Sequence, residues 1–173
     1  MKNWRLNNIN QSAFEKTGPV PRSITKTFEK FKKELEPNSE SEIIEEFSLF
    51  EDWMQRYEYM IELGKSLPII PEEFKTDDNI IKGCQSKVWV HAQLDQDKLQ
   101  FSADSDAIIT KGIIAILIRA FSNQHPKDIL AADTDFIDKI GLKEHLSPTR
   151  ANGLVSMIKQ IKLYAIAFQT QLN

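Results

Sequence analysis

Lys87-Val88-Trp89-Val90-His91-Ala92 alternates polar and apolar side chains, Asp95-Gln96-Asp97 follows, and Leu99, Phe101 and Ala103 then alternate again. A period of two on either side of a polar turn predicts two strands of an antiparallel hairpin, with Val88, Val90 and Ala92 on the buried face. Trp89 and His91 fall on the opposite face. The indole is large for a wetted position, which predicts cover from the N-terminal arm or a helix, or a partner surface. His91 reads as an edge or surface residue rather than a ligand.

Downstream of the hairpin, Asp104-Ser105-Asp106 is suited to cap a helix beginning near Ala107. Ile108 to Phe121 is apolar almost all round, as a central helix packed on a sheet would be. Gly112 costs helix propensity there, and close approach of another backbone would compensate. Lys111 and Arg119 lie eight residues apart and so point toward one edge, or snorkel as ordinary surface cations do. Pro126 opens a short helix to Leu130, and Thr134 is placed to cap Asp135 to Ile140. Ser147-Pro148 starts a long helix to about Phe168, with Leu154, Ile158, Ile161, Ala165 and Phe168 as its buried stripe. Arg150 sits in its first turn, where the helix dipole disfavours a cation, so a nearby carboxylate or a local need for positive charge is expected.

Upstream of the hairpin stands Ile80-Ile81-Lys82-Gly83-Cys84-Gln85-Ser86, which carries the one cysteine of the 173-residue chain. A cysteine on a loop leading into a strand is held by the sheet yet open to approach. Gly83 supplies backbone freedom before the sulfur, and Lys82 and Lys87 would favour the thiolate. A small buried hydrophobe is the alternative for a lone cysteine. Before this loop, Ser39 or Ser41 is placed to cap a helix running to about Leu63, where Gly64 reads as a stop. Ile43, Ile44, Phe47, Phe50, Met54, Tyr57 and Ile61 form its apolar face, leaving Glu45, Glu46, Glu51, Asp52 and Glu58 wetted. Leu67-Pro68-Ile69-Ile70-Pro71 is an apolar connector.

Residues 1–40 differ in character. They hold eight Lys or Arg against five Glu, net positive by three, which leaves −6 for the rest of a chain whose total is −3. Phe28, Phe31 and Leu35 share one face of a short helix, and the arm reads as a packing extension or a docking element.

With 27% charged residues and a small net charge, the composition carries no strong nucleic-acid footprint. The longest apolar run, Ile113 to Ile118, is too short to span a membrane, and the first residues lack a signal-peptide pattern, so a cytoplasmic protein is expected. One cysteine allows no internal disulfide and no four-thiolate metal site. The histidines, His91, His125 and His145, form no compact metal motif with Cys84. A Cys-His hydrolase needs a histidine at hydrogen-bonding distance from the sulfur, and His91 lies roughly 17 to 24 Å along an extended chain. No phosphate-cradling glycine loop is present, and neither metal nor cofactor is expected.

The run Ile80 to Trp89 resembles the active loop of the SufE family of cysteine desulfurase partners, which includes the CsdE proteins. The resemblance continues in Arg56 to Pro68, Asp104 to Ala115 and Leu146 to Arg150, covering roughly residues 45 to 168. It implies an α+β fold with a small antiparallel sheet against helices, similar to SufE and IscU-type proteins, in residues 41–173, with 1–40 as an extension. It also implies that Cys84 accepts persulfide sulfur from a pyridoxal-phosphate-dependent cysteine desulfurase of the SufS or CsdA kind and relays it to an iron-sulfur scaffold. Asp106 and Arg150 match charged family positions near the loop, and Gln85 and Ser86 would hold it by backbone hydrogen bonds. A homodimer is an arrangement this reading allows. The alternatives are a noncatalytic module that stimulates a desulfurase and a Cys-dependent hydrolase; a cluster scaffold is disfavoured because one cysteine supplies too few soft ligands.

Overall fold

The computed structural model describes residues 40–173. The expected arm helix with Phe28, Phe31 and Leu35 lies outside them. Helices α1 (Glu40–Ser48) and α2 (Trp53–Lys65) lead through two 3₁₀ turns, Glu72–Phe74 and Asp77–Asn79, to the hairpin β1 (Val88–Asp95) and β2 (Lys98–Ser105). Then come α3 (Ile108–Phe121), the short α4 (Pro126–Ala131), α5 (Asp135–Lys139) and α6 (Leu142–His145), and the long α7 (Pro148–Leu172). This is the α+β arrangement expected, a small antiparallel sheet against helices.

The hairpin pairs Val88 with Ser105 through Asp95 with Lys98, and Gln96 turns the chain with φ 57°. Val88, Val90, Leu99, Phe101 and Ala103 are buried, and β2 packs against α3. Two strands alone would leave unpaired edges, and neighbouring segments cover them. The apolar connector lies along β2, where the Ala103 amide donates to Pro68 O at 3.1 Å and the Ile70 amide to Ala103 O at 3.3 Å. At the other end of β2, Leu99 exchanges bonds with Asn123 and Gln124. On β1, the Ile81 amide donates to Val88 O at 2.8 Å, closing the neck of the cysteine loop.

The single helix expected up to Leu63 is two. The chain breaks at Leu49–Asp52, and Asp52 caps α2 by accepting from the Gln55 amide at 2.9 Å. Met54 consequently lies 68% exposed instead of joining the buried stripe. Gly64 does not end α2. It faces α3, where a Cβ on Gly64 would stand 3.0 Å from Gly112 N and one on Gly112 only 2.5 Å from Met60 O. The close approach expected of Gly112 is thus a contact between two helix backbones.

Glu46 and Arg119 also depart from expectation. Neither is wetted: Glu46 is buried, and Arg119 meets it through Nη1 at 2.6 Å and Nη2 at 2.7 Å. The Tyr59 hydroxyl donates to the same carboxylate, tying α1, α2 and α3 together. Burial and the Glu46 charge push the Tyr59 phenol up, though Arg119 opposes them. Lys111, expected to share an edge with Arg119, pairs instead with Asp104 at 2.9 Å.

Trp89 is half-buried, and among the described residues Lys75 Nζ lies 5.9 Å from its ring centroid. His91 stacks on Phe74 with centroids 3.8 Å apart, and burial lowers its pKa. In α7 the buried residues are Gly153, Leu154, Met157, Ile161 and Ala165, while Ile158 and Phe168 are half-buried. The Tyr164 hydroxyl pins this helix to β1 by donating to Val90 O at 2.9 Å.

Candidate functional site

Cys84 sits on the loop between the second 3₁₀ turn and β1. The loop turns at Lys82-Gly83, and Gly83 has φ +94°, a region L side chains rarely adopt. A Cβ at Gly83 would also meet Ser156 Oγ of α7 at 2.6 Å. The glycine therefore serves both the turn and the close seat of the loop on the helix. One residue on, the half-buried Cys84 thiol points at α7, with Sγ 3.7 Å from Gly153 O. Gly153 lies in close contact with the thiol: a Cβ there would stand 3.4 Å from Sγ, at the near edge of ordinary van der Waals contact.

Burial pushes the Cys84 thiol up. Lys82 and Lys87, expected to favour the thiolate, are exposed and do not offset this desolvation. In the seated loop the proton stays on sulfur at neutral pH.

Asp106 does not cap α3, whose cap position is Ala107 without a side-chain bond. Its carboxylate accepts the Lys87 amide at 3.0 Å, and its own amide donates to Lys87 O at 3.3 Å. Asp106 thus fixes the exit of the cysteine loop by extending the hairpin ladder one pair beyond Val88 and Ser105. Next to it, Thr110 donates to Ser86 Oγ at 3.4 Å, a side-chain bond where backbone bonds were expected. Gln85 is exposed.

Arg150 is exposed in the first turn of α7, where its amide donates to Ser147 Oγ at 3.4 Å in the expected cap. Its side chain forms no ion pair with the described residues, so the loop carboxylate anticipated for it is absent among them. It stands one helical turn before Gly153, the residue against the sulfur. Cys84 thus lies between the segment held by Asp106 and the start of α7. Gly153, Ser156 and Thr110 were missed from sequence, because a contact 69 residues away along the chain leaves no local pattern.

The histidines are engaged elsewhere: His91 with Phe74, His125 at 3.4 Å from Asp97, and His145 against Trp53. None hydrogen-bonds to Cys84, so no Cys-His pair forms among the described residues. Those residues also hold no group of three His, Cys, Asp or Glu able to bind a metal. No described helix is long and apolar enough to cross a membrane.

A family model, SufE, described as an Fe-S metabolism associated domain, matches residues 41–165. An uncharacterised SufE-like protein of Rhizobium meliloti is 46% identical over 126 residues, covering 70% of this chain and 90% of the relative. One from Synechocystis is 38% identical over 135 residues, covering 78% and 84%. The chloroplastic/mitochondrial SufE-like protein 1 of Arabidopsis thaliana is 33% identical over 161 residues, with 90% of this chain matching 43% of that longer protein. In solved structures, a hypothetical protein from Thermus thermophilus superposes with a TM-score of 0.65, covering 76% of this chain and 96% of that one; at 20% identity it supports the fold alone. The family model spans the cysteine loop, the hairpin and most of α7, and on that match the chain belongs to the SufE family, the sulfur-acceptor proteins of iron-sulfur cluster assembly.

Proposed function

We propose that Cys84 accepts the terminal sulfur of a persulfide carried by a pyridoxal-phosphate-dependent cysteine desulfurase, stimulates that enzyme by clearing it, and relays the sulfur to an iron-sulfur scaffold in the cytoplasm. The observation that carries this reading is a lone thiol seated on a glycine-hinged loop at the surface of a SufE-family domain. In the step itself, the Cys84 thiolate attacks the outer sulfur of the donor persulfide. A new S–S bond forms at Cys84, the donor's S–S bond breaks, and its electron pair leaves with the donor cysteine as a thiolate. Sulfur is transferred with no net oxidation, so no further reductant enters.

The raised Cys84 pKa fits this role if the loop leaves its seat on Gly153 and Ser156 when the donor binds. Solvation then returns the thiol toward its ordinary value and the nucleophile forms where it is used. Asp106 holds the far end of the loop, and Arg150 offers positive charge to the sulfur anion.

The seated thiol also favours a second reading, a noncatalytic module that stimulates the desulfurase while Cys84 packs as a small hydrophobe. Alanine release from L-cysteine separates the two. Stimulation by the wild type that vanishes with Cys84→Ser supports the acceptor role, whereas undiminished stimulation by Cys84→Ser contradicts it.

A further inference from the structure

The outer side of α7 presents apolar residues to solvent. Val155, Leu163 and Ile166 are 57%, 46% and 50% exposed, and their positions set them along one side of the helix. Val155 follows Gly153 by two residues, about 200° round the helix, so this side faces away from Cys84. Lys162, next to Leu163 and one turn before Ile166, donates to Ala132 O at 2.8 Å. That bond sets the stripe beside the segment joining α4 to α5.

Helix α1 begins at the same place. Burial and the Asp133 charge push the Glu40 carboxyl up, Asp135 adds to them, and Lys139 and Lys162 oppose them. Glu40 thus lies within electrostatic reach of the middle of α7 and of two exposed aspartates, and the chain before it joins the domain there. Leu35 stands five residues before Glu40, a tether of at most about 17 Å. Phe28, Phe31 and Leu35 recur at helical spacing, with Lys30, Lys32 and Lys33 among them. Residues 1–40 are net positive by three against −6 for the remainder, and the two aspartates mark an acidic spot where the arm joins.

We propose that residues 28–35 dock on the outer side of α7 of their own chain, with the apolar trio along Leu163 and Ile166 and the lysines toward Asp133 and Asp135. A stripe this shallow suits a tethered occupant, because a short linker holds its segment at an effective concentration on the order of millimolar. A free partner would need a larger apolar area to remain bound. The docked arm is independent of the chemistry at Cys84 and lies on the opposite side of α7 from it.

Tryptic cleavage of the full chain after Lys30, Lys32 and Lys33, timed by intact-protein mass spectrometry, reads the docked arm. Leu163→Glu/Ile166→Glu and, separately, Phe28→Ala/Phe31→Ala are each expected to speed cleavage about tenfold or more, because cleavage tracks the undocked fraction. Met54→Glu, at a 68% exposed residue of α2, is expected to leave the rate unchanged. The arm variant alters no residue of the described domain, so its result stands even where the α7 variant unfolds. Wild-type rates for the Phe28→Ala/Phe31→Ala variant, or equal acceleration by Met54→Glu, would overturn the proposal. Protection that grows with protein concentration would place the arm on a second copy and overturn it too.

Discussion

At the scale of single residues, the chemistry depends on how firmly Cys84 is seated. The seated thiol is favoured by burial, which raises its pKa, so the closed loop is fully stable below the ordinary thiol pKa and is lost as pH rises through the raised value. Alkylation by iodoacetamide should therefore rise with pH along a curve displaced above that of a free thiol. Gly83→Ala places a Cβ at φ +94° and 2.6 Å from Ser156 Oγ, which should cost the closed loop about 1 kcal/mol, or roughly fivefold in opening. Faster alkylation at neutral pH with an unchanged thermal midpoint is the expected result, and an unchanged rate would contradict the hinge role. Cys84 and Gly83 are legible in the sequence, because the motif that carries them is contiguous. The seat on Gly153 and Ser156 is not, because it joins segments about seventy residues apart through glycine and serine, which carry no periodic signal.

Among the elements, the hairpin and the two longest helices could be read from sequence because alternation and helical spacing persist over several turns. The acidic stretch before the connector could not. Amphipathic spacing continues across Leu49–Asp52, so the break shows only through the Asp52 cap, and a polar face conceals Glu46 and Glu62, which turn inward. The same limit applies to Asp104 and Asp106, where a sequence suited to capping serves strand exchange and ion pairing instead. Burial pushes the Asp104 carboxyl up, but hydrogen bonds from Lys75 and Lys111 outweigh it and hold the pKa below the usual range. The contact between α2 and α3 yields a direct test. Gly112→Ala would drive a methyl to 2.5 Å from Met60 O, where backbone must move. A loss of roughly 3 kcal/mol in urea unfolding is expected, at the upper end for overpacking, and a change below about 1 kcal/mol would mean that the helices separate easily.

For the whole molecule, the Glu46–Arg119 pair with Tyr59 is the polar centre around which three helices assemble. Both partners are almost fully buried, so removing one takes away the countercharge that offsets the desolvation of the other. Glu46→Gln should cost about 3–5 kcal/mol, while the double change Glu46→Leu/Arg119→Met should be much less damaging because the remaining cation goes too. Comparable unfolding midpoints for the two variants would contradict this account. The family resemblance located the cysteine loop without reference to this core; packing then supplied what a motif lacks, the position of the loop between the segment held by Asp106 and the start of α7. Intact-protein mass spectrometry without reductant, after incubation with an active cysteine desulfurase and L-cysteine, tests the central claim most directly. The account predicts a gain of at least one sulfur on the wild type, absent from Cys84→Ser and from the reaction lacking desulfurase. An unmodified wild type beside a desulfurase that it demonstrably stimulates would contradict it.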